Sequence, residues 1–256
     1  IAIEAVESAG LPAGSIGLVA GGGRDELREL AQLDGVVDLI IPRGGDGLKH
    51  ALSEVATVPV LYAAAGNCHV YVDAAADLAM AERIIVNAKA QRPGVCNSAE
   101  TLLVHEVVAE QFLPSALSAL RERGVELRGD ARTRQIDSDV LEATDEDWDT
   151  EYHALILAVK VVGSASEAID HIEAHGSSHS EAVVTEDREV ATAFERGVNA
   201  ACVYVNASTR FTDGAVFGMG AEIGNATQKL HARGPIGLRE LTTYKYLIEG
   251  NGQVRE

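Results

Sequence analysis

Hydrophobic and polar positions fall in alternating blocks along this chain. Residues 15–20, 36–41 and 58–63 are short continuous apolar runs, and between them residues 25–32 and 47–55 carry apolar residues at helical spacing. A brief apolar run bounded by turn formers reads as a strand buried on both faces, whereas recurrence every three or four positions reads as one face of a helix. Residues 73–89 are clearly helical: Leu78, Ala81, Ile85 and Ala88 share a face, and Asp73 is the expected N-cap. The alternation resumes with a strand at 101–105, a helix at 107–123 ended by Gly124, and a strand at 154–162. The capping box Ser164-Ala-Ser-Glu167 then opens a helix, followed by a strand at 182–185, a helix to Gly197 and a strand at 202–206. Apolar strands alternating with helices predict a parallel α/β architecture.

Three segments stand outside this rhythm. Residues 129–150 are polar and acidic with weak periodicity, which predicts a surface excursion. Residues 241–254 read as an extended ribbon, Thr-Thr-Tyr-Lys-Tyr-Leu-Ile, then Glu-Gly-Asn-Gly, then Gln-Val-Arg. Such a strand pair lies on another subunit's sheet edge or packs on its own domain, and the residues leave both open. The chain begins at Ile1, and residues 1–10 read as the tail of an amphipathic helix without an N-cap, so the expectation is a fragment that lacks its natural start.

Composition narrows the picture. The chain has 256 residues, 46% of them hydrophobic, enough for one large domain or two smaller ones. No apolar run approaches the roughly 18 residues of a membrane helix, and no signal peptide is visible, although a missing start would hide one. With 21 basic and 39 acidic residues the formal charge is −18, which argues against nucleic acid and against an anionic membrane as partners. Either a solvated acidic surface or adaptation to salt accounts for it, and an anionic substrate needs a local basic pocket. The three cysteines, Cys68, Cys96 and Cys202, form no CxxC and fit a reducing cytosol. His171, His175 and His179 are spaced by four, but Gly176 ends the helix before His179, so no metal site is expected.

Cys96 is the candidate nucleophile. A lone cysteine is commonly buried filler, but here Lys89 and Arg92 lie upstream, Pro93-Gly94 forces a turn, and Asn97 and Ser98 keep the loop polar. Cys68, at the start of an apolar strand, reads as structural, and Cys202, inside Ala-Cys-Val-Tyr-Val, reads as core. Pro42-Arg-Gly-Gly-Asp-Gly47 lies between a strand and a helix, where free backbone N–H groups cradle phosphate; Gly-rich turns are also common there for purely structural reasons, and this one departs from GxGxxG. In Asn206-Ala-Ser-Thr-Arg-Phe-Thr-Asp213, Arg210 beside the hydroxyls of Ser208 and Thr209 either forks an anion or makes a surface ion pair. The Gly-rich stretch from Gly218 to Gly224 and His231-Ala-Arg-Gly-Pro235 suit a substrate lid or wall.

Five stretches together resemble the gamma-glutamyl phosphate reductase (glutamate-5-semialdehyde dehydrogenase) family, a branch of the aldehyde dehydrogenase superfamily. They are Ile40-Ile-Pro-Arg-Gly-Gly45, Gly66-Asn-Cys-His-Val-Tyr-Val-Asp73, the loop Asn87-Ala-Lys-Ala-Gln-Arg-Pro-Gly-Val-Cys-Asn-Ser98, Tyr204-Val-Asn-Ala-Ser-Thr-Arg-Phe-Thr-Asp-Gly214 and Gln228-Lys-Leu-His-Ala-Arg-Gly-Pro235. The resemblance implies an aldehyde-dehydrogenase-like α/β fold: the C-terminal part of a Rossmann-type NADP-binding domain in residues 1–66, a catalytic α/β domain in 67–235 and an oligomerisation ribbon in 236–256. It implies reduction of L-glutamate 5-phosphate by NADPH to glutamate 5-semialdehyde and phosphate in proline biosynthesis. It assigns Cys96 as nucleophile with its own N–H as an oxyanion donor, and Asn206, Ser208, Thr209 and Arg210 to the substrate. Arg43, Gly44, Gly45, Gly47 and Glu151 fall to the cofactor, Glu151 on the nicotinamide-side ribose. The family also implies a cytoplasmic homo-oligomer and leaves open association with glutamate 5-kinase, with the reductase part of a fused kinase–reductase as an alternative reading of this chain. An N-terminal region of the family is absent from this chain, so the piece alone is expected to be inactive, and a scaffold role is the alternative. Residues 61–67 hold no carboxylate, which suits an enzyme whose acyl group goes to hydride rather than to activated water.

Overall fold

The computed structural model describes residues 1–19, 21–62 and 65–256, Asp46 by its backbone alone. The chain forms two units, Ile1–Leu61 and Tyr62–Glu256. Among the described residues no helix is long and apolar enough to cross a membrane.

The first unit carries α1 (Ala2–Ser8), α2 (Arg24–Leu30) and α3 (Asp46–Val55). Its buried residues are few: Ala31, Ile40, Leu52, Val58 and Leu61. Of the three runs expected as strands at 15–20, 36–41 and 58–63, the described residues contribute a single parallel bridge, Ile40 beside Val60. Ala20 and Ala63 lie outside the described residues. The reason for the difference is physical. An apolar run becomes a strand only beside a partner that takes its backbone hydrogen bonds, and Leu18, 91% exposed, has no such neighbour here.

The second unit is built on a seven-stranded sheet. Its elements are β1 (Cys68–Val72), α4 (Leu78–Ala90), β2 (Ala99–His105), α5 (Glu106–Arg121), β3 (Glu126–Gly129), α6 (Ala131–Ile136), β4 (Leu141–Glu142), α7 (Asp145–Asp149), β5 (Ile156–Val162), α8 (Ala165–His175), β6 (Ser180–Val184), α9 (Arg188–Gly197) and β7 (Cys202–Val205). The strand order is β4-β3-β5-β2-β1-β6-β7, with every pair parallel. A small antiparallel pair follows, β8 (Asn225–Ala226) with β9 (Gly234–Pro235). Side chains alternate across the sheet. Val70, Val72, Leu102 and Val159 pack with Ile85, Leu113 and Leu117, while Tyr71, Leu103 and Val183 pack with Ile172 and Phe194. Helices therefore cover both faces, which is why the strands read as continuous apolar runs. The β1–β2 register slips between Cys68 and His69, a bulge at the amino ends of the two central strands.

Several expectations need correction. Asp77, not Asp73, caps α4, its carboxylate accepting from Met80 N at 3.0 Å. Asp73 is buried instead, accepting from Tyr71 Oη (2.9 Å), Thr185 Oγ1 (2.8 Å) and Ala75 N (3.1 Å), and so fastens the carboxyl ends of β1 and β6. Residues 129–150 are less an excursion than the sheet's edge, because they carry α6, β4 and α7. Ser164 caps α8 through Glu167 N, but the Glu167 carboxylate reaches back to Gly163 N rather than to Ser164. Cys202 is partly exposed on the edge strand β7, not core. Within this chain residues 241–254 form no strand pair and are exposed, Leu247 at 83% and Ile248 at 89%.

Candidate active site

Cys96 lies in the turn that enters β2, partly exposed. The turn is closed by Ser98 N donating to Val95 O (2.9 Å) and tied to α4 by Ser98 Oγ donating to Ala88 O (3.3 Å). Behind the cysteine, Gly66 is pressed against its backbone: a Cβ at this position would sit 1.5 Å from Cys96 O. Cys68 Sγ donates to the same carbonyl at 3.2 Å. On the other side Asn97 Nδ2 donates to Thr212 O (2.8 Å), and Thr209 Oγ1 donates to Asn97 O (2.7 Å). The residue beside the nucleophile is thus clamped to the segment 206–213.

That segment runs from one end of the sheet to the other. Asn206, at φ 57°, exchanges hydrogen bonds with Thr185 just past the carboxyl end of β6, donating to its O and accepting from its N, both at 2.9 Å. Six residues later the Thr212 hydroxyl meets Ser180 Oγ (2.5 Å), at the amino end of the same strand. The arrangement brings Arg210 to the nucleophile but not Asn206. Ser208 and Thr209 are buried and engaged in holding the loop, Ser208 Oγ accepting from Arg210 N. Arg210, partly exposed, donates from Nε to Gln91 Oε1 at 2.8 Å. The group assembles at the amino ends of the central parallel strands, not at the carboxyl ends where such sheets more often bind ligands.

Burial pushes the Cys96 thiol up, and the negative charges of Glu151 and Glu222 push it further; its own backbone N–H and Arg210 pull it back. Glu151 stands just before β5, with Oε2 3.2 Å from His153 Nε2 and with Oε1 buried and without a partner. Beneath lies a pair that the sequence reading missed. Lys89 Nζ and Glu100 Oε2 meet at 2.5 Å, both side chains fully buried. Burial lowers Lys89 and raises Glu100 to about 7, each opposed by its partner. Its signal was available: Lys89 falls four positions after Ile85, on the apolar face of α4. His171 is held neutral, pushed to about 2 by burial and by His69, Lys160 and His175 around it, while His179 lies elsewhere, Nδ1 3.9 Å from Cys68 Sγ.

In the first unit, Arg43, Gly44, Gly45 and Gly47 are exposed around the start of α3. Gly45 is the N-cap in extended conformation with no side chain capping the helix, so the turn fits an anion at the helix N-terminus. Gly44 is tight, since a Cβ there would meet Leu48 Cδ2 at 2.7 Å. The unpartnered Glu151 Oε1 fits a ribose hydroxyl as donor.

A doubly covered parallel sheet with a polar, backbone-clamped cysteine at its amino edge defines an α/β protein with a candidate nucleophile in a fixed turn. A model of the Aldehyde dehydrogenase family matches residues 1–137, more than half of the chain, and the chain belongs to that family. It is similar to gamma-glutamyl phosphate reductases from Caldanaerobacter subterraneus (55% identity over all of this chain and 62% of the relative) and Carboxydothermus hydrogenoformans (58% over 98% of this chain and 61% of the relative). Among solved structures it resembles gamma-glutamyl phosphate reductase from Thermotoga maritima, with TM-score 0.94 and 51% identity over 99% of this chain and 61% of that one. An acetylating aldehyde dehydrogenase from Geobacillus thermoglucosidasius, at 21% identity over 99% of this chain and 65% of that one with TM-score 0.74, shares the fold. The chain therefore spans less than two thirds of the length of these relatives.

Proposed function

We propose that the complete protein is an NADPH-dependent gamma-glutamyl phosphate reductase that converts L-glutamate 5-phosphate to L-glutamate 5-semialdehyde and phosphate, and that Cys96 carries the acyl group. The observation that carries this reading is the identity with reductases of that name along the whole chain, 55% in the Caldanaerobacter relative. Cys96 Sγ attacks the substrate's C5, the acyl–phosphate bond breaks, the departing phosphate carries off the thiol proton, and a thioester remains. A nicotinamide cofactor, when bound, would supply a hydride for reduction of that carbonyl carbon. Collapse of the resulting thiohemiacetal releases the aldehyde and returns the thiolate. The Cys96 N–H stabilises the oxyanion in both steps, Arg210 holds a substrate anion, and Glu151 takes a ribose hydroxyl of the cofactor. In the first unit, taken by itself, the α3 turn with Arg43, Gly44, Gly45 and Gly47 suits a nucleotide phosphate. The remaining assignments travel with this reading: a cofactor domain that includes residues 1–66, a catalytic domain at 67–235, a homo-oligomer joined through 236–256, and a cytoplasmic location.

The test is substitution in the complete protein. Cys96→Ser abolishes NADP-linked, phosphate-dependent oxidation of glutamate 5-semialdehyde, while Cys68→Ser and Cys202→Ser retain it. Full activity in the Cys96 variant removes the mechanism.

A further inference from the structure

Glu222 belongs to no element of the sheet, yet it is held in a fixed place. Its Oε2 accepts from Gly214 N at 2.9 Å, and its two oxygens accept from Asn225 Nδ2 at 3.1 and 3.2 Å. Gly214 ends the segment that clamps Asn97, so Glu222 is tied through that loop to the residue next to the nucleophile. The two residues also pack closely: a Cβ on Gly214 would lie 2.8 Å from Glu222 Cβ. The charge of Glu222 reaches the Cys96 thiol, as does that of Arg210 with opposite sign. Acceptors are in surplus here. The two carboxylate oxygens and the buried, unpartnered Asn225 Oδ1 offer more lone pairs than the three N–H groups of Gly214 N and Asn225 Nδ2 occupy. An ammonium group brings three donors and a charge that this cluster lacks. Placed with Arg210 around one thiol, the pair offers a carboxylate and a guanidinium, the two poles needed to recognise a zwitterion.

We infer that Glu222, supported by Asn225, binds the α-ammonium group of the substrate and so restricts the enzyme to free α-amino acid derivatives. The inference rests on the reductase reading above and names the residue that selects its substrate. Glu222 is a specificity residue: it neither attacks nor moves a proton, and the chemistry at Cys96 proceeds without it.

The experiment compares two aldehydes in the complete enzyme with NADP and phosphate: glutamate 5-semialdehyde, and 5-oxopentanoate, which is the same chain without the amino group. The parent enzyme prefers the amino substrate. Glu222→Gln lowers the ratio of kcat/KM for the amino substrate over that for 5-oxopentanoate by about 30-fold or more, chiefly through KM for the amino substrate, while any change in thiol reactivity moves both substrates together and leaves the ratio alone. Glu222→Asp, which keeps the charge, recovers part of the preference. If Glu222→Gln depresses both substrates equally, Glu222 is only a strut for the Gly214 turn and the inference is overturned. If the preference survives, another group reads the ammonium, and it is overturned again. A parent enzyme inactive on both aldehydes removes the reductase reading, and this inference with it. Activity on 5-oxopentanoate also shows that the variant is folded.

Discussion

A methyl group on Gly66 would lie 1.5 Å from Cys96 O, 2.3 Å from its carbonyl carbon and 2.5 Å from its Cα. These are backbone atoms that cannot rotate away, so any side chain at this position must move the nucleophile itself. The turn that carries Cys96 is also fixed on its other flank by Asn97 and Ser98, which leaves little freedom to absorb the shift. Displacing a reacting atom by about 1 Å costs on the order of 100-fold in rate. Gly66→Ala in the complete enzyme is therefore expected to lower kcat/KM for phosphate-dependent semialdehyde oxidation by about that factor. Steady-state kinetics check it, and a loss below about threefold shows that the turn yields. Nothing in the sequence singled Gly66 out, because its role is an absence of atoms beside a residue 30 positions away. Cys96 and Arg210 could be picked out as candidates, because a polar cysteine loop and a guanidinium among hydroxyls are visible in residue type, and the fold brings their charges within reach of one another. The place of Asn206 was not legible: its side chain is engaged by Thr185, which only the fold brings near.

The Lys89–Glu100 pair joins α4 to β2 directly under the nucleophile turn. Both side chains are fully buried, so removing one leaves the other charge uncompensated. Lys89→Met should destabilise the chain by roughly 3–5 kcal/mol, whereas Lys89→Met with Glu100→Leu should recover most of the loss. Urea unfolding midpoints at unchanged slope measure both. The single variant also has a pH signature. Burial already raises Glu100 to about 7 with Lys89 present, and without Lys89 it rises further. An acid with a raised native pKa binds its proton more tightly when folded, so its contribution declines as pH climbs from the ordinary glutamate range towards the raised value. The deficit of Lys89→Met is thus smaller at pH 5 than at pH 8. The elements that sequence predicted well are strands packed on both faces, such as β1, β2 and β5, and the body of α4, whose one apolar face is buried. The runs in the first unit carried the same apolar signal but lacked partner strands among the described residues, and a strand is a property of a pair. The cap at Asp77 was missed for a related reason: Asp73 has the right residue type, but the strands claimed it first.

The acidic excess belongs to the molecule as a whole. A formal charge of −18 is spread over a chain whose ion pairs are mostly at the surface, so self-repulsion outweighs what those pairs return. Salt screens the repulsion over about 10 Å at 0.1 M. The thermal midpoint of the chain should therefore rise with sodium chloride, by about 2–4 °C for each kcal/mol regained at this size. A calorimetric series from low to high salt decides it; a falling midpoint would mean that the ion pairs dominate. The same negative field, concentrated in Glu151 and Glu222 and added to burial, keeps Cys96 a thiol at neutral pH. Peroxides and disulfides react with thiolates and scarcely with thiols. An enzyme resting between turnovers then presents the oxidant with a sulfur in its unreactive form. Durability under oxidative stress would thus be a by-product of the electrostatics that slow the free thiol.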